Sequence, residues 1–402
     1  MDDSVLFARQ PILNTKREII GYELLFRNSK FDTSAHFNSN EIASAEVMLS
    51  SLTGVDLQEV INRKRAFINV PLELLDEVPR IAQDRWVIEV LETSSYDTNT
   101  LSQLKRLKNN GFLIALDDFV FKPENSAAIT FADIIKLDIN RYSDHDIEDL
   151  MKKMKHRDVN FLANKVETEK DYQRCQKLGF SFFQGFFFSH PEIVTGKVLK
   201  PGKQSVIQLV EKLNNPDLEF DELLQVIARD SMLSYTLLKL INSSMYRRSA
   251  EISSLQHALV LLGADRIRSW ANLLMMSQLS ENNSALLVLA LVRALMCEKI
   301  ATQLGLEDEN AAFTTGLFSC LEAFTHKPMV ELLENLHLSS RVKDALIHRR
   351  GELGQVITAI IAHEYGQWNK ITNLGIQEKL MASCYQEAIS EADVINESFS
   401  TR

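Results

Sequence analysis

The sequence predicts an α/β domain over residues 1–200, followed by an all-helical domain over residues 201–402. The first half alternates short runs rich in Ile, Val and Phe with longer segments of helical periodicity. This alternation indicates parallel strands that are buried on both faces. After Pro191 and the Pro201-Gly202 pair, the strand-like runs disappear and helical periodicity takes over. We therefore place the domain boundary near residue 200.

Seven apolar runs in the first half are predicted to be strands of a parallel α/β sheet, either open or closed into a barrel. They are residues 19–26, 66–70, 86–91, 112–116, 134–139, 160–163 and 182–188. Residues 40–51 and 99–109 are predicted to be helices between them. The lengths of these runs suit strands, because buried helices are usually longer.

Polar residues stand in or just after all seven runs: Glu23, Asn69, Glu89, Glu92, Asp117, Asp118, Lys136, Asp138, Glu167 and Gln184. In a barrel, the carboxyl ends of the strands meet at one mouth, where catalytic groups gather. Carboxylate and amide oxygens are ligands that suit Mg²⁺ or Mn²⁺. Any single acid of this kind is more often a solvated strand end or a helix cap, so the prediction depends on the repetition over seven runs.

The second half is predicted to contain helices at residues 221–229, 233–241, 254–262, 267–279 and 285–304. Gly263, Gly305, Gly351 and Gly375 interrupt the pattern, and helix C-caps are expected there. Trp270 and the nearby methionines are either core residues or anchors for a partner. Helix-spaced methionine is more often part of a core.

Composition and charge are those of an ordinary globular protein. The 402 residues are 45% hydrophobic and 24% charged, which excludes a fully disordered chain. The net charge of −10 argues against sequence-independent nucleic-acid binding, which needs a basic face. The first ten residues lack the apolar core of a signal peptide, and the longest apolar run, residues 284–296, contains Arg293 and is too short to cross a bilayer. We expect a cytoplasmic protein with no membrane span and no nucleic-acid partner.

The cysteines and histidines predict no zinc site. Cys175, Cys297, Cys320 and Cys384 lie far apart in the sequence, and none belongs to a C-x-x-C pair. His363-Glu364 lacks the second histidine of an H-E-x-x-H motif. Cys320 is either a redox sensor or, more commonly for such a residue, a buried structural thiol.

Several motifs in register resemble the EAL–HDOD signalling family over almost the whole chain. They include Ala8-Arg-Gln-Pro-Ile12, Tyr22-Glu-Leu-Leu-Phe-Arg27 and Asp117-Asp-Phe119. The first half resembles the EAL domain, a TIM-like (β/α) barrel that hydrolyses cyclic di-GMP. The second half resembles the HDOD domain, an all-helical relative of HD phosphohydrolases.

The resemblance implies roles for individual residues of the barrel. It implies metal ligands at Glu23, Asn69, Glu89 and Asp117, with Asp118 helping to hold a second metal ion, and Mg²⁺ or Mn²⁺ as the cofactor. It implies catalytic roles for Lys136 and Glu167, ligand contacts for Arg27 and Gln184, and a loop-organising role for Glu92. An alternative is that these groups persist only as a polar network that supports the barrel mouth.

Two departures from the family pattern concern catalysis. Asn164-Lys-Val-Glu167 stands in place of the family's Glu-Gly-Val-Glu, so Asn164 occupies the position of the general base and Lys165 that of the glycine. An amide is not a usable base near neutral pH, and general-base catalysis typically contributes about 10²–10⁴ in rate. The loop at residues 119–124, Phe-Val-Phe-Lys-Pro-Glu, replaces a glycine-containing stretch.

The helical half also lacks the chemistry of its enzymatic relatives. Where HD enzymes carry a segment like Gly-Leu-Leu-His-Asp, this chain has Gly316-Leu-Phe-Ser-Cys320. Ser319 and Cys320 cannot replace the His-Asp pair for Mg²⁺ or Mn²⁺, so no cofactor is expected in the helical domain.

Two functional hypotheses follow. The first is a cyclic di-GMP-related regulator with a degenerate, inactive EAL domain, weak or absent cyclic di-GMP binding, and an HDOD domain that docks a protein partner. The second is an active, metal-dependent phosphodiesterase that cleaves cyclic di-GMP to linear pGpG. The sequence leaves the partner open, and homo-oligomer formation as well.

Overall fold

The structure is a computed structural model. It describes residues 7–26, 61–62, 64–70, 72, 75–76, 78, 85–91, 96–121, 125–185, 201–215, 218–228, 234, 237–238, 241, 254–279, 284–334 and 336–400. Contacts within the chain divide it into two compact units, Met1–Phe188 and Ser189–Arg402. Within the described residues, no helix combines the length and apolar character that a membrane crossing requires.

The first unit contains a closed barrel whose eight strands follow one another in chain order. The strands are β1 (Phe7–Asn14), β2 (Ile19–Phe26), β3 (Arg65–Asn69), β4 (Trp86–Leu91), β5 (Leu113–Asp117), β6 (Ile134–Asp138), β7 (Asn160–Asn164) and β8 (Phe182–Gln184). The described connections include α1 (Thr98–Asn109), a 3₁₀ turn (Ala128–Phe131), α2 (Asp144–Met154) and α3 (Glu169–Leu178). The predicted (β/α) barrel is confirmed, while the predicted helix at residues 40–51 lies outside the described residues.

The barrel has one strand that the sequence pattern did not reveal. β1 runs antiparallel to both of its neighbours, β2 and β8, whereas β2 through β8 are parallel. Arg9, Gln10 and Pro11 interrupt its apolar run, so it lacks the continuous hydrophobic signature of a strand buried on both faces. All seven predicted strands are present, although residues 186–188 of the last one lie outside the described part of the chain.

The interior of the barrel begins with an apolar layer that positions the polar residues above it. The layer consists of Ile12, Phe67, Val87, Ala115, Ile134 and Leu162, all at most 2% exposed. Side chains of a strand point alternately to opposite faces, so the residue two positions later returns to the inward face. In the five strands β3 to β7, that later residue is Asn69, Glu89, Asp117, Lys136 and Asn164. One layer of apolar packing thus carries one layer of polar groups at the carboxyl end of the barrel.

The second unit is helical throughout its described residues. Its helices are α4 (Pro201–Leu213), α5 (Phe220–Ala228), α6 (Leu255–Leu262), α7 (Ala264–Leu279), α8 (Ser284–Leu304), α9 (Glu309–Phe318), α10 (Leu321–Thr325), α11 (Met329–Glu334), α12 (Ser340–His348), α13 (Gly351–Glu364), α14 (Trp368–Asn373) and α15 (Glu378–Ser400). The helix α8 packs against α9, α13 and α15, and it is buried along most of its length. Most of the predicted helix at residues 233–241 lies outside the described residues.

Three of the four predicted glycine breaks follow the ends of helices. Gly263, Gly305 and Gly375 have φ values of +82°, +68° and +76°, which glycine adopts without steric cost. Gly351 lies at the break between α12 and α13 and has a φ of +71°, but it begins α13 and does not cap the preceding helix. The preceding helix, α12, ends instead at Arg349, whose φ is +56°.

Trp270 and the methionines of α7 belong to the core. Trp270 is 1% exposed and its ring lies 5.7 Å from that of Phe313, while Met275 and Met276 are fully buried. The interpretation of these side chains as anchors for a partner is therefore wrong. Their spacing reflects a helix that is packed on several faces.

Candidate functional site

The ammonium group of Lys136 lies at the centre of the polar layer. Its Nζ is 2.8 Å from Oε2 of Glu23, 3.0 Å from Oε1 of Glu89 and 3.5 Å from Oδ2 of Asp117. The four side chains come from β2, β4, β5 and β6, and that of Lys136 is only 1% exposed. We refer to Glu23, Glu89, Asp117 and Lys136 as the inner cluster. The sequence prediction that these groups converge at one barrel mouth agrees with this geometry.

Glu23 is the most heavily hydrogen-bonded member of the inner cluster. Its Oε1 accepts a hydrogen bond from Nδ2 of Asn69 at 2.7 Å, and its Oε2 accepts one from Nε2 of Gln184. Nε2 of Gln184 also donates to Oε1 of Gln10 on β1 at 2.9 Å. Asn69 and Gln184 therefore join the cluster through their amide groups, and β1 contributes a residue that sequence reasoning missed.

The charges in the inner cluster are unequal, and the pKa values show the effect. Burial raises the pKa of Glu23, but the charge of Lys136 and the hydrogen bonds from Gln184 and Asn69 outweigh it, so this pKa lies below its ordinary value. Burial and the negative charge of Glu23 raise the pKa of Glu89 well above its ordinary value. Burial also raises the pKa of Asp117. The single positive charge of Lys136 therefore does not compensate the negative charges of three buried carboxylates.

Several buried oxygen atoms in this layer have no hydrogen-bond partner within the described structure. They are Oδ1 of Asn69, Oε2 of Glu89, Oδ1 of Asp118 and Oε1 of Gln184. Buried polar atoms are nearly always satisfied, and an exception points to a missing water or ion. Carboxylate and amide oxygens are also the donors that Mg²⁺ and Mn²⁺ prefer.

The donor set therefore fits a divalent ion in its chemistry, but Lys136 shares the position. Among the described residues, no group of three or more His, Cys, Asp or Glu side chains is arranged to hold a metal ion. The carboxylates of the inner cluster instead surround the Lys136 ammonium. Residues that would hold an ion are Glu23, Asn69, Glu89 and Asp117, and the lysine side chain would have to shift to admit it.

Four charged side chains form a second group at the ends of β5, β6 and β7, and we refer to Asp118, Arg141, Asp138 and Lys165 as the rim. Nζ of Lys165 lies 2.7 Å from Oδ2 of Asp138. Arg141 lies between two acids, 3.5 Å from Asp138 and 3.4 Å from Asp118. The pKa of Asp138 is lowered, because the hydrogen bonds from Lys165 and the Asn140 amide outweigh the effect of burial.

The remaining predicted residues form no side-chain hydrogen bond or ion pair with the inner cluster or lie outside the described residues. Asn164 ends β7, and its Oδ1 accepts a hydrogen bond from the backbone N–H of Lys165 at 2.8 Å. Glu167 is exposed in the loop that precedes α3. Arg27 and Glu92 lie in parts of the chain that the structure does not describe.

The loop after the Asp117-Asp118 pair is anchored to the barrel at its start. The backbone N–H of Phe119 donates to the carbonyl of Lys136 at 3.3 Å, and the Phe119 side chain is fully buried. The hydroxyl of Tyr142 donates to the carbonyl of Phe119 at 2.9 Å. Residues 122–124 of this loop lie outside the described part of the chain.

The helical unit contains a buried ion pair beside the segment that corresponds to the HD motif. Nε and Nη2 of Arg293 donate to the two carboxylate oxygens of Glu364 at 2.8 and 2.6 Å. Nη1 of Arg293 lies 3.2 Å from Oγ of Ser319 and 3.5 Å from Sγ of Cys320. A guanidinium group therefore contacts both residues that stand in place of the His-Asp pair. The sequence signal for this site was the single arginine inside the apolar run of residues 284–296.

The cysteines lack the environment of redox sensors. All four are buried. Burial raises the pKa of the Cys320 thiol, and it raises the pKa of Cys175 to about 12 and that of Cys384 to about 11. A reactive cysteine needs an accessible thiolate, so these side chains act as core residues.

Comparisons with known proteins support both halves of the predicted organisation. The EAL domain family matches residues 2–191, and the HDOD domain family matches residues 199–339. The cyclic di-GMP phosphodiesterase CdgJ of Vibrio cholerae is 33% identical over 370 residues, which cover 90% of this chain and 86% of CdgJ. The uncharacterized protein YuxH of Bacillus subtilis is 30% identical over 398 residues, which cover 96% and 97% of the two chains.

Among solved structures, a manganese and cyclic di-GMP complex of BlrP1 from Klebsiella pneumoniae is 21% identical. The match covers 46% of this chain and 56% of BlrP1, with a TM-score of 0.39, so it carries no argument about function. The two family matches and the two full-length relatives confirm the resemblance that the sequence motifs indicated. The chain belongs to the EAL–HDOD family, with an EAL domain followed by an HDOD domain.

Proposed function

We propose that this protein is a cyclic di-GMP-related regulator whose barrel keeps a divalent-ion site but hydrolyses its ligand very slowly or not at all. The observation that carries the proposal is the end of β7. Asn164 stands at the position of the general base, and its side-chain oxygen accepts the N–H of Lys165. An amide there cannot remove a proton from water near neutral pH.

The unsatisfied oxygens of the inner cluster support ion binding by this site. Oε2 of Glu89 and Oδ1 of Asn69 are buried without a partner, and Glu89 itself is fully buried. A divalent ion, when bound, would polarise the phosphodiester and lower the pKa of a bound water. Gln184 would orient Glu23 through the hydrogen bond described above, and the inner cluster would exclude bulk water because it is buried.

A second candidate function is an active phosphodiesterase that converts cyclic di-GMP to linear pGpG. Its support is the retention of Glu23, Asn69, Glu89, Asp117 and Lys136 in one cluster. The related protein CdgJ is a cyclic di-GMP phosphodiesterase. A divalent ion can activate water without the missing base, so the loss of that base leaves this function open to test.

One experiment separates the two functions. The purified full-length chain is incubated with Mn²⁺ and cyclic di-GMP, and linear pGpG is quantified beside the variants Asn164→Glu and Asn164→Gln. We expect little product from the wild type and from Asn164→Gln. Asn164→Glu should gain about 10²-fold or more, because it restores a base. Wild-type turnover that equals that of Asn164→Glu and is abolished by Glu23→Ala would establish the active phosphodiesterase instead.

We further propose that the helical unit docks a protein partner. Its support is that the Arg293–Glu364 pair contacts the residues that replace the His-Asp pair, which leaves no evident chemistry there. A domain without chemistry of its own would act through residues at its surface, and Val260 and Val330 are apolar side chains with exposed fractions of 75% and 53%. The double variant Val260→Asp and Val330→Asp in the full-length chain should lose captured partners, whereas Lys152→Met in the barrel unit should keep them. Equal capture of partners by both variants would refute the proposed role of Val260 and Val330 in docking.

A further inference from the structure

The rim defined above joins the carboxyl ends of three neighbouring strands. The inference drawn from it rests on the proposed ion binding by the inner cluster. Both oxygens of the Asp138 carboxylate have partners in this group. Oδ1 accepts the backbone N–H of Asn140 at 3.0 Å, and Oδ2 accepts Nζ of Lys165 at 2.7 Å, with Nε of Arg141 at 3.5 Å from the same oxygen. The Asp138 side chain is 5% exposed, so this is a buried carboxylate with its charge already compensated.

Two residues of the rim have a strained backbone conformation. Asp118 and Lys165 have φ values of +49° and +61°, a region that disfavours side chains larger than glycine. In each case the N–H of the strained residue donates to the preceding side chain, Asp117 Oδ1 at 2.9 Å and Asn164 Oδ1 at 2.8 Å. Strained backbone of this kind persists only where the surroundings determine it, and it is concentrated at functional sites.

The inner cluster and the rim differ in the oxygens that they leave open. In the inner cluster, Oε2 of the fully buried Glu89 has no hydrogen-bond partner among the described residues, and the same holds for Oδ1 of the adjoining Asn69. In the rim, Asp138 offers no open oxygen, and Asp118 offers only Oδ1, because Arg141 lies 3.4 Å from its Oδ2. An ion such as Mg²⁺ keeps several waters but is held by one or two carboxylates, so it needs carboxylate oxygens that are not already paired with side-chain cations. The rim therefore does not fit a second ion.

The summed charge leads to the same conclusion. The five carboxylates Glu23, Glu89, Asp117, Asp118 and Asp138 carry −5, and the three bases Lys136, Arg141 and Lys165 carry +3, which leaves −2. One divalent ion brings this sum to zero. A second ion would leave +2 and would lie beside the positive charges of Arg141 and Lys165, which repel a cation.

We propose that Arg141 and Lys165 are resident cations of the mouth that replace a second divalent ion beside Asp118 and Asp138, so that the barrel binds one divalent ion per chain. Their side chains are 52% and 50% exposed, so a phosphodiester in solution could reach them. An arginine and a lysine bind phosphate by charge-assisted hydrogen bonds. The positive charge that faces a phosphate group would then come from one divalent ion together with these two side chains.

The test is the stoichiometry of Mn²⁺ bound to the full-length protein. Isothermal titration and the electron paramagnetic resonance signal of free Mn²⁺ measure it independently of activity. We expect one ion per chain for the wild type and two for the double variant Arg141→Met and Lys165→Met. The matched control is Lys152→Met, which removes a 68% exposed lysine of the same barrel unit and should bind one ion.

Each other outcome overturns the proposal in a distinguishable way. Two ions in the wild type would show that Arg141 and Lys165 do not exclude a second divalent ion, while leaving the proposed ion site of the inner cluster intact. No ion in the wild type would overturn both this inference and the proposed ion site. A folded double variant that still binds one ion would show that the two basic residues do not set the stoichiometry. Circular dichroism and thermal melting verify that each variant is folded.

Discussion

Replacement of Lys136 by methionine tests whether the ammonium group and a divalent ion share one position. Methionine is an unbranched side chain one heavy atom shorter than lysine, and it removes the charge that lies within 3.5 Å of Glu23, Glu89 and Asp117. Removal of one partner from a buried ion pair typically costs about 3–5 kcal/mol. For a unit of this size, about 1 kcal/mol corresponds to roughly 2–4 °C in melting temperature. In EDTA, the barrel transition should therefore fall by about 6–20 °C.

The loss should depend on pH and on Mn²⁺. Burial already raises the pKa values of Glu89 and Asp117, so these carboxyl groups take up protons more easily once Lys136 is gone. Their protonated forms are the less costly ones to bury. The difference in melting temperature between Lys136→Met and wild type should accordingly be larger at pH 8 than at pH 5.5. Saturating Mn²⁺ at about 100 times its Kd should restore about 2.7 kcal/mol.

Differential scanning calorimetry of the full-length protein, with EDTA and with Mn²⁺, measures these shifts. Lys152→Met is the control, because it removes an exposed lysine that pairs only with Glu148 and Asp149 on its own helix. Titration with Mn²⁺ should show tighter binding to Lys136→Met than to the wild type, since no ammonium competes for the carboxylates. Unchanged melting in EDTA, or weaker Mn²⁺ binding by the variant, would refute the reasoning.

Two other predictions concern buried groups elsewhere in the chain. Arg293→Lys should lose the two parallel hydrogen bonds to Glu364 and destabilise the helical unit almost as much as Arg293→Met, by about 3–5 kcal/mol in urea unfolding; a Lys variant as stable as the wild type would contradict this. The native protein should show no rapidly reacting thiol with a disulfide reagent at pH 8, and four thiols after denaturation, because all four cysteines are buried; fast labelling of Cys320 in the native state would refute it.

The sequence predicted the strands that carry the site because each of them is buried on both faces. Their continuous apolar runs ended in polar residues, and the closed barrel brings the carboxylates of Glu23, Glu89 and Asp117 within 3.5 Å of Nζ of Lys136. The strand β1 was not predicted, because Arg9 and the two residues after it interrupt its apolar run. Its antiparallel pairing with β2 and β8 is a tertiary property that hydrophobic periodicity does not encode.

The contacts within the rim could not be predicted from the sequence, although three of its four residues were noted for other reasons. Lys165 was recognised as a departure from the family's glycine, and Asp138 as a polar strand end. Their contact at 2.7 Å depends on the register of β6 and β7, in which Asp138 is paired with Asn164. Arg141 follows β6 in a turn and gave no periodic signal. Asp138, Arg141 and Lys165 therefore come together through the pairing of β6 with β7, which the sequence does not specify.

The charges of buried carboxylates are compensated in different ways in the two units. In the helical unit, Arg293 donates to both oxygens of Glu364, so the pair is neutral and both carboxylate oxygens have partners. In the barrel, one ammonium serves three carboxylates, and Oε2 of Glu89 remains buried without a partner. A site that is already satisfied gains little from an added ion, whereas an under-compensated site gains much. A divalent ion should therefore contribute more free energy at the inner cluster than at the Arg293–Glu364 pair.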